Sequence, residues 1–157
     1  INMATVHMMI GIPGSGKTTF ASSLSKEHNY VIVSSDVVRM LHPDFDETKV
    51  WPEVYRLCAE NLKNNQDIIF DATNITPKVR ARFDTELSKY HVKYQKIAYF
   101  FKTDVSKCIE RVTKRNTLSN ELYLPTEVIS SYGEKIIPPT TDEGFIEIKI
   151  IENNQDL

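Results

Sequence analysis

The densest chemistry in the chain lies near its start, in Gly11-Ile12-Pro13-Gly14-Ser15-Gly16-Lys17-Thr18, which holds three of the five glycines. Glycines at that spacing let the backbone turn so that successive N–H groups aim at one anion. The pattern G-x-x-x-x-G-K-[ST] is a phosphate-binding loop, or P-loop. In it Gly14, Ser15 and Gly16 supply the cradle, and Thr18 and Thr19 open the helix that follows. Lys17 reaches the terminal phosphates of ATP or another NTP, and the Thr18 hydroxyl is offered to Mg²⁺.

Phosphoryl transfer asks a protein mainly for positioning and charge stabilisation. It also needs a group to take the acceptor's proton and cations around the moving phosphoryl. Asp36 and Arg39 are three residues apart, neighbours on a helix turn. Asp36 suits a base for an attacking hydroxyl, with Arg39 holding a phosphate on the acceptor. The plainer reading makes Asp36 a helix cap and Arg39 its surface partner. Asp71 closes the apolar run Ile68-Ile69-Phe70 beside Thr73 and Asn74. It fits a carboxylate that orders the metal's water shell or orients Arg39, and equally a turn aspartate. Arg111 and Arg115, i and i+4, share a helix face and lead into Asn116-Thr117-Leu118-Ser119-Asn120, which suggests a lid with Arg115 on the γ-phosphate. A solvated face is the alternative. Lys78, Arg80 and Arg82 either fringe the acceptor site or decorate a surface. Trp51 offers a base-stacking ring or, ahead of Pro52, the anchor of a helix start. His7, His28, His42 and His91 form no ligand pattern, and His7 reads as a packed strand residue.

The elements that must position these groups alternate. Val6–Ile10, Tyr30–Val33, Asp67–Phe70, Lys96–Phe101 and Phe145–Ile151 read as strands. Helices are expected over Thr18–Lys26, Asp46–Leu62, Thr76 to about Lys89, the stripe Val105, Cys108, Ile109 and Val112 capped by Asp104, and Pro125–Ile137. Thr76-Pro77 carries a cap followed by proline at the first helical position. Such alternation implies an α/β domain, a mostly parallel five-stranded sheet with helices on both faces. In parallel sheets ligands bind beyond the carboxyl ends of the strands. The P-loop, Ser34-Ser35-Asp36 and Asp71-Ala72-Thr73-Asn74 each follow a strand, so all three fall on that edge.

With 157 residues, 41% hydrophobic and 25% charged, the composition is that of one globular domain, expected over 3–151. Residues 1–2 read as an expression scar and 152–157 as a polar tail. No run is long enough for a membrane span, and Cys58 and Cys108 lack metal-ligand spacing, which fits a cytoplasmic protein with buried thiols. A net charge of −2 argues against a protein that coats nucleic acid, though not against one that grips a strand end.

Taken in order, Gly-Ile-Pro-Gly-Ser-Gly-Lys-Thr-Thr, Ser35-Asp36-x-x-Arg39, Asp71-x-Thr73-Asn74, Cys108-Ile109-Glu110-Arg111-x-x-x-Arg115, Pro125-x-x-Val128, Pro139 and Glu143-Gly144-Phe145 resemble the kinase domain of the 5′-hydroxyl polynucleotide kinases. The resemblance covers residues 5 to 151. It implies an adenylate-kinase-like P-loop NTPase sandwich with a helical lid, and ATP with Mg²⁺ held through Lys17 and Thr18. It also implies Asp36 as base for the 5′-hydroxyl, Arg39 on the acceptor phosphate, Asp71 in the acceptor pocket and Arg115 on the donor. The expected partner is a 5′-OH nucleic acid end. A small-molecule kinase for a nucleoside, sugar or antibiotic shares parts of the pattern, and a nucleotide-binding switch needs only the P-loop.

Overall fold

The computed structural model describes residues 3–118 and 124–153. In chain order the elements are β1 (Thr5–Ile10), α1 (Lys17–His28), β2 (Val31–Val33), α2 (Ser35–Leu41), α3 (Glu47–Lys63), β3 (Ile68–Phe70), α4 (Pro77–Ser88), β4 (Gln95–Phe101), α5 (Val105–Leu118), α6 (Thr126–Lys135), a 3-10 turn (Thr141–Glu143) and β5 (Glu147–Ile151). All five strands are parallel, in the order β2-β3-β1-β4-β5. Every residue of β1 is buried, as expected of a central parallel strand covered on both faces.

Strand alternation sorts the core into layers. Val6, Met8 and Ile10 face α3 and α4, joining Ile68, Phe70, Ala98 and Phe100 with Val54, Cys58, Phe83 and Leu87. Met9 points the other way, with Ile69, Tyr99 and Phe101 against Ala21 of α1. Each fully buried apolar side chain of this size contributes about 1.5–3 kcal/mol. A third cluster, Ile12, Cys108, Val112 and Ile129, packs α5 and α6 against the start of the P-loop. The result is a three-layer sandwich with a helical pair over its ligand edge.

Helix starts follow their caps. Thr76 accepts a bond from the Val79 N–H, and Pro77 occupies the first turn of α4. Asp46 caps α3. Ser34 caps α2, its Oγ accepting from Val37 N at 3.1 Å, so Asp36 is a first-turn residue and not the cap. Trp51 and Pro52 lie a full turn inside α3 and do not mark its start.

Arg80 departs most from the sequence expectation. Only 1% of it is exposed, so it is not part of a charged fringe with Lys78 and Arg82. Its Nε and Nη2 grip Glu143 at 2.7 and 3.1 Å, and its Nη1 donates to the carbonyls of Asn74 and Ile137 at 2.7 and 3.0 Å. One guanidinium thereby ties α4, the turn after β3, the segment after α6 and the turn before β5. A buried charge survives only when paired and hydrogen-bonded in this way.

Candidate active site

The P-loop emerges from β1 with Gly14 and Gly16 in the left-handed region, at φ 85° and 94°. Close approach to backbone also requires Gly14, whereas the neighbour of Gly16 is the tip of a side chain. A Cβ on Gly14 would lie 2.5 Å from the Cys108 carbonyl of α5, and one on Gly16 would lie 2.0 Å from Asn153 Nδ2. Gly16 caps α1 without any side-chain bond, which leaves the helix N-terminus to an anion. Ser15 is fully buried and its Oγ has no partner among the described residues.

Around this loop lies a cavity of about 390 Å³ lined by Gly14, Gly16, Lys17, Thr18, Thr19, Asp36, Arg111 and Arg115. Arg111 is not on a solvated face. Its Nη1 donates to the Gly14 carbonyl at 3.2 Å and its Nη2 to the Asn153 carbonyl at 2.7 Å. It braces the loop from α5, while Arg115, one turn on, is exposed at the cavity wall. Asn116 spans from α5 to Leu124, donating to its carbonyl at 3.0 Å and accepting from its N–H at 3.3 Å. Residues 119 and 120 of the expected lid loop, and residues 1–2 and 154–157, lie outside the described residues.

Burial pushes the Lys17 ammonium below its ordinary pKa; Asp71 opposes that shift and Arg115 adds to it. Burial also raises the Asp71 carboxyl, against the pull of Lys17 and a hydrogen bond from Thr18. The Thr18 hydroxyl donates to Asp71 Oδ2 at 2.9 Å, and Asp71 Oδ1 is buried without a partner among the described residues. A hydroxyl, a carboxylate with an unsatisfied oxygen and a lysine ammonium fit a hard, water-carrying cation and a polyphosphate. Thr18 would ligate Mg²⁺ and Asp71 would hold its waters.

Beside this cavity lies a smaller one, about 230 Å³, lined by Lys17, Thr18, Ser34, Ser35, Asp36, Trp51, Asp71, Ala72 and Thr73. Lys17, Thr18 and Asp36 line both. The Asp36 carboxylate is 95% exposed, and Arg39 Nη1 reaches it at 3.2 Å. Arg39 is committed mainly elsewhere: its Nε lies 3.1 Å from Glu47 Oε1, and its Nη2 closes a second, shorter bond to the same carboxylate. Glu47 in turn holds its own pKa below the usual carboxylate range through that bond. Asn74 is buried, its Nδ2 donating to the Met9 carbonyl at 2.7 Å, so its amide pins the end of β1 and its donor is not available to a substrate. The Gly11 N–H donates to the Thr73 carbonyl at 3.1 Å, which ties the turn after β3 to the P-loop.

Sequence spacing does not single out Glu47, eight residues from Arg39 across a turn, or Asn153, 137 residues beyond Gly16 and meeting it only because β5 ends beside the P-loop. Cys108 is a buried thiol pushed up to about 11, as its apolar stripe suggests. No helix among the described residues is long and apolar enough to cross a membrane.

Sheet order, P-loop and the helical pair above it define a P-loop kinase-like α/β fold. Residues 6–139 match a family model described as an AAA domain, and the chain belongs to that family. A UPF0200 protein of Saccharolobus islandicus is 30% identical, over 92% of this chain and 88% of its own length. A bifunctional polynucleotide phosphatase/kinase of Schizosaccharomyces pombe is 22% identical over 90% of this chain, which spans 32% of that protein. Among solved structures, a chain of the Pnkp1/Rnl/Hen1 RNA repair complex superposes with a TM-score of 0.74 at 23% identity, over 86% of this chain and 44% of that one. A gluconokinase from Sinorhizobium meliloti 1021 superposes at 0.62 and 13% identity, over 99% of this chain and 86% of that one. Both likenesses are of fold.

Proposed function

We propose that the protein moves the γ-phosphoryl group of ATP or another NTP to the 5′-hydroxyl of an RNA or DNA end. The observation that carries this reading is the placement of Asp36. It lines the P-loop cavity with Lys17 and Arg115, and also the neighbouring cavity with Asp71 and Thr73. A carboxylate at that junction touches both donor and acceptor space.

In this reading the Asp36 carboxylate takes the proton of the 5′-hydroxyl as its oxygen bonds to the γ-phosphorus. The bond from that phosphorus to the β-phosphate oxygen breaks, and the diphosphate leaves. Lys17 and Arg115 share the negative charge on the moving group, and the N–H groups of Gly14 and Gly16 hold the donor phosphates, while the Ser15 N–H donates to the Ile12 carbonyl and shapes the loop. Bound Mg²⁺ would supply further charge neutralisation next to Thr18. Arg39 exchanges the Glu47 carboxylate for the acceptor's phosphodiester, which has the matching fork geometry.

Asp36→Asn keeps the shape and removes the base, so kcat is expected to fall about 10²–10⁴-fold while ATP binding persists. Transfer at wild-type rate in that variant contradicts the assignment. The fold match to a gluconokinase over 99% of the chain keeps a second reading in view, a small-molecule kinase built on the same donor site. The two part at the acceptor, since only a nucleic acid end brings a phosphodiester for Arg39.

A further inference from the structure

A cavity of about 430 Å³ outside the P-loop is walled by the rings of Trp51, Tyr55, Phe70 and Phe83, with Arg82 and Glu86 also lining it. The rings brace one another: Trp51 meets Phe70 edge-on at 6.3 Å, and Phe70 lies 4.8 Å from Phe83. Pro52, also in the lining, sits in the interior of α3, where it cannot donate the usual backbone bond. Three residues, Trp51, Ala72 and Thr73, belong both to this cavity and to the one that holds Asp36 and Asp71. The two spaces therefore adjoin along Trp51, Ala72 and Thr73.

We propose that the aromatic cavity receives the nucleobase of the acceptor's 5′-terminal nucleotide, with the Trp51 ring as its stacking face. The inference rests on the reading of the chain as a 5′-hydroxyl kinase and narrows it to an acceptor whose first nucleotide carries its base. Volume and lining suit a flat heterocycle, since ligand cavities of roughly 300–1,000 Å³ are mostly apolar with a few convergent polar groups. Arg82 and Glu86 provide a donor and an acceptor for the edges of the ring. A sugar acid makes a poor occupant, because its hydroxyls would face four aromatic walls with few partners. Trp51 is 37% exposed, so its ring is available to stack. A nucleoside also has the right connectivity, with its hydroxyl and its base on one ribose, as Asp36 lines one of the adjoining spaces and the aromatic rings wall the other.

Trp51 is the sole tryptophan, so its fluorescence reports on the wall that this cavity shares with the one holding Asp36. The wild-type protein is titrated with a 5′-OH trinucleotide, with the same trinucleotide lacking its first base, and with a free nucleoside. Quenching by the base-bearing ligands and none by the abasic one is expected. In transfer assays, base-bearing ends should exceed abasic ends about tenfold in kcat/KM, a ratio that Trp51→Ala narrows to within about twofold and Trp51→Phe largely keeps. Equal quenching and equal kcat/KM for abasic and base-bearing ends overturn the base site while leaving the kinase reading intact. Absence of transfer to any 5′-OH end refutes the kinase reading. In that case the nucleoside titration still decides the cavity: quenching supports a nucleobase site, and unchanged fluorescence overturns it.

Discussion

The P-loop cavity and the aromatic cavity, linked by the space that holds Asp36 and Asp71, are built by opposite means. The donor side is local: Gly14, Ser15, Gly16, Lys17, Thr18 and Thr19 are consecutive, and its chemistry is mostly backbone N–H and one ammonium. The proposed acceptor side is assembled from α3, the end of β3 and α4, through Trp51, Tyr55, Phe70, Phe83 and Arg82. Backbone geometry serves any nucleoside triphosphate, whereas side-chain walls from three elements can be shaped to one acceptor. The class of reaction is therefore written in a short motif, and the choice of substrate in tertiary packing.

The contrast makes predictions of decreasing size. Lys17→Ala should lower kcat/KM about 10³-fold for every acceptor alike, because it acts on the donor. The apo protein should not lose thermal stability, since burial disfavours that ammonium, and its stabilisation by ATP and Mg²⁺ should vanish. Thermal melts with and without nucleotide check this. An effect confined to one acceptor would break the division of labour.

Arg80→Met should cost about 1–3 kcal/mol in urea unfolding, because the Asn74 and Ile137 carbonyls lose their donor and the half-buried Glu143 is left with its bonds from Thr140. The variant should bind ATP nearly as well as the parent at low temperature, yet show a raised acceptor KM, since Arg80 fixes the carbonyl of Asn74 beside Thr73. Equal damage to both affinities would mean that the two sides are not separately supported.

Glu47→Ala removes an exposed partner of Arg39, a solvent-screened pair that adds little to folding. Acceptor KM should fall by a few-fold at low salt with ATP KM unchanged, as read in initial-rate kinetics. A higher acceptor KM would recast Glu47 as the residue that orients Arg39.

The smallest effect lies at the opposite edge of the sheet. His7 bonds Tyr99 at 2.8 Å and Asp67 at 3.0 Å, and burial outweighs Asp67 to hold its pKa below the ordinary 6.5. Between the folded value and 6.5 the unfolded chain carries the extra proton, so the contribution is complete above 6.5 and is lost as pH falls through the folded value. Urea midpoints should drop on going from about pH 7.5 to about pH 5, and His7→Gln should flatten that slope.

Much of this was legible in the sequence wherever a local rule governs. Thr76-Pro77 opens α4 because cap and proline act on adjacent backbone groups. The three segments on the ligand edge converge because parallel strands all end on one side. Residues whose partners are set by packing were not legible. Arg80 reads as one of three surface cations until Glu143, 63 residues away, folds against it. Arg111 reads with Arg115 as a cation over the nucleotide or as a solvated face, and only the fold shows its guanidinium donating to the Gly14 and Asn153 carbonyls. Trp51-Pro52 suggests a helix start, but Asp46 caps α3 one turn earlier and leaves both rings on the cavity wall.

The central claim is the transfer itself. The protein is incubated with γ-labelled ATP and Mg²⁺ and offered, in parallel, 5′-OH RNA, 5′-OH DNA, a mononucleoside and gluconate. The account predicts label on the 5′ end of the RNA or DNA, lost in Asp36→Asn. Label on gluconate with none on either nucleic acid, or tight ATP binding with no labelled acceptor, would contradict it.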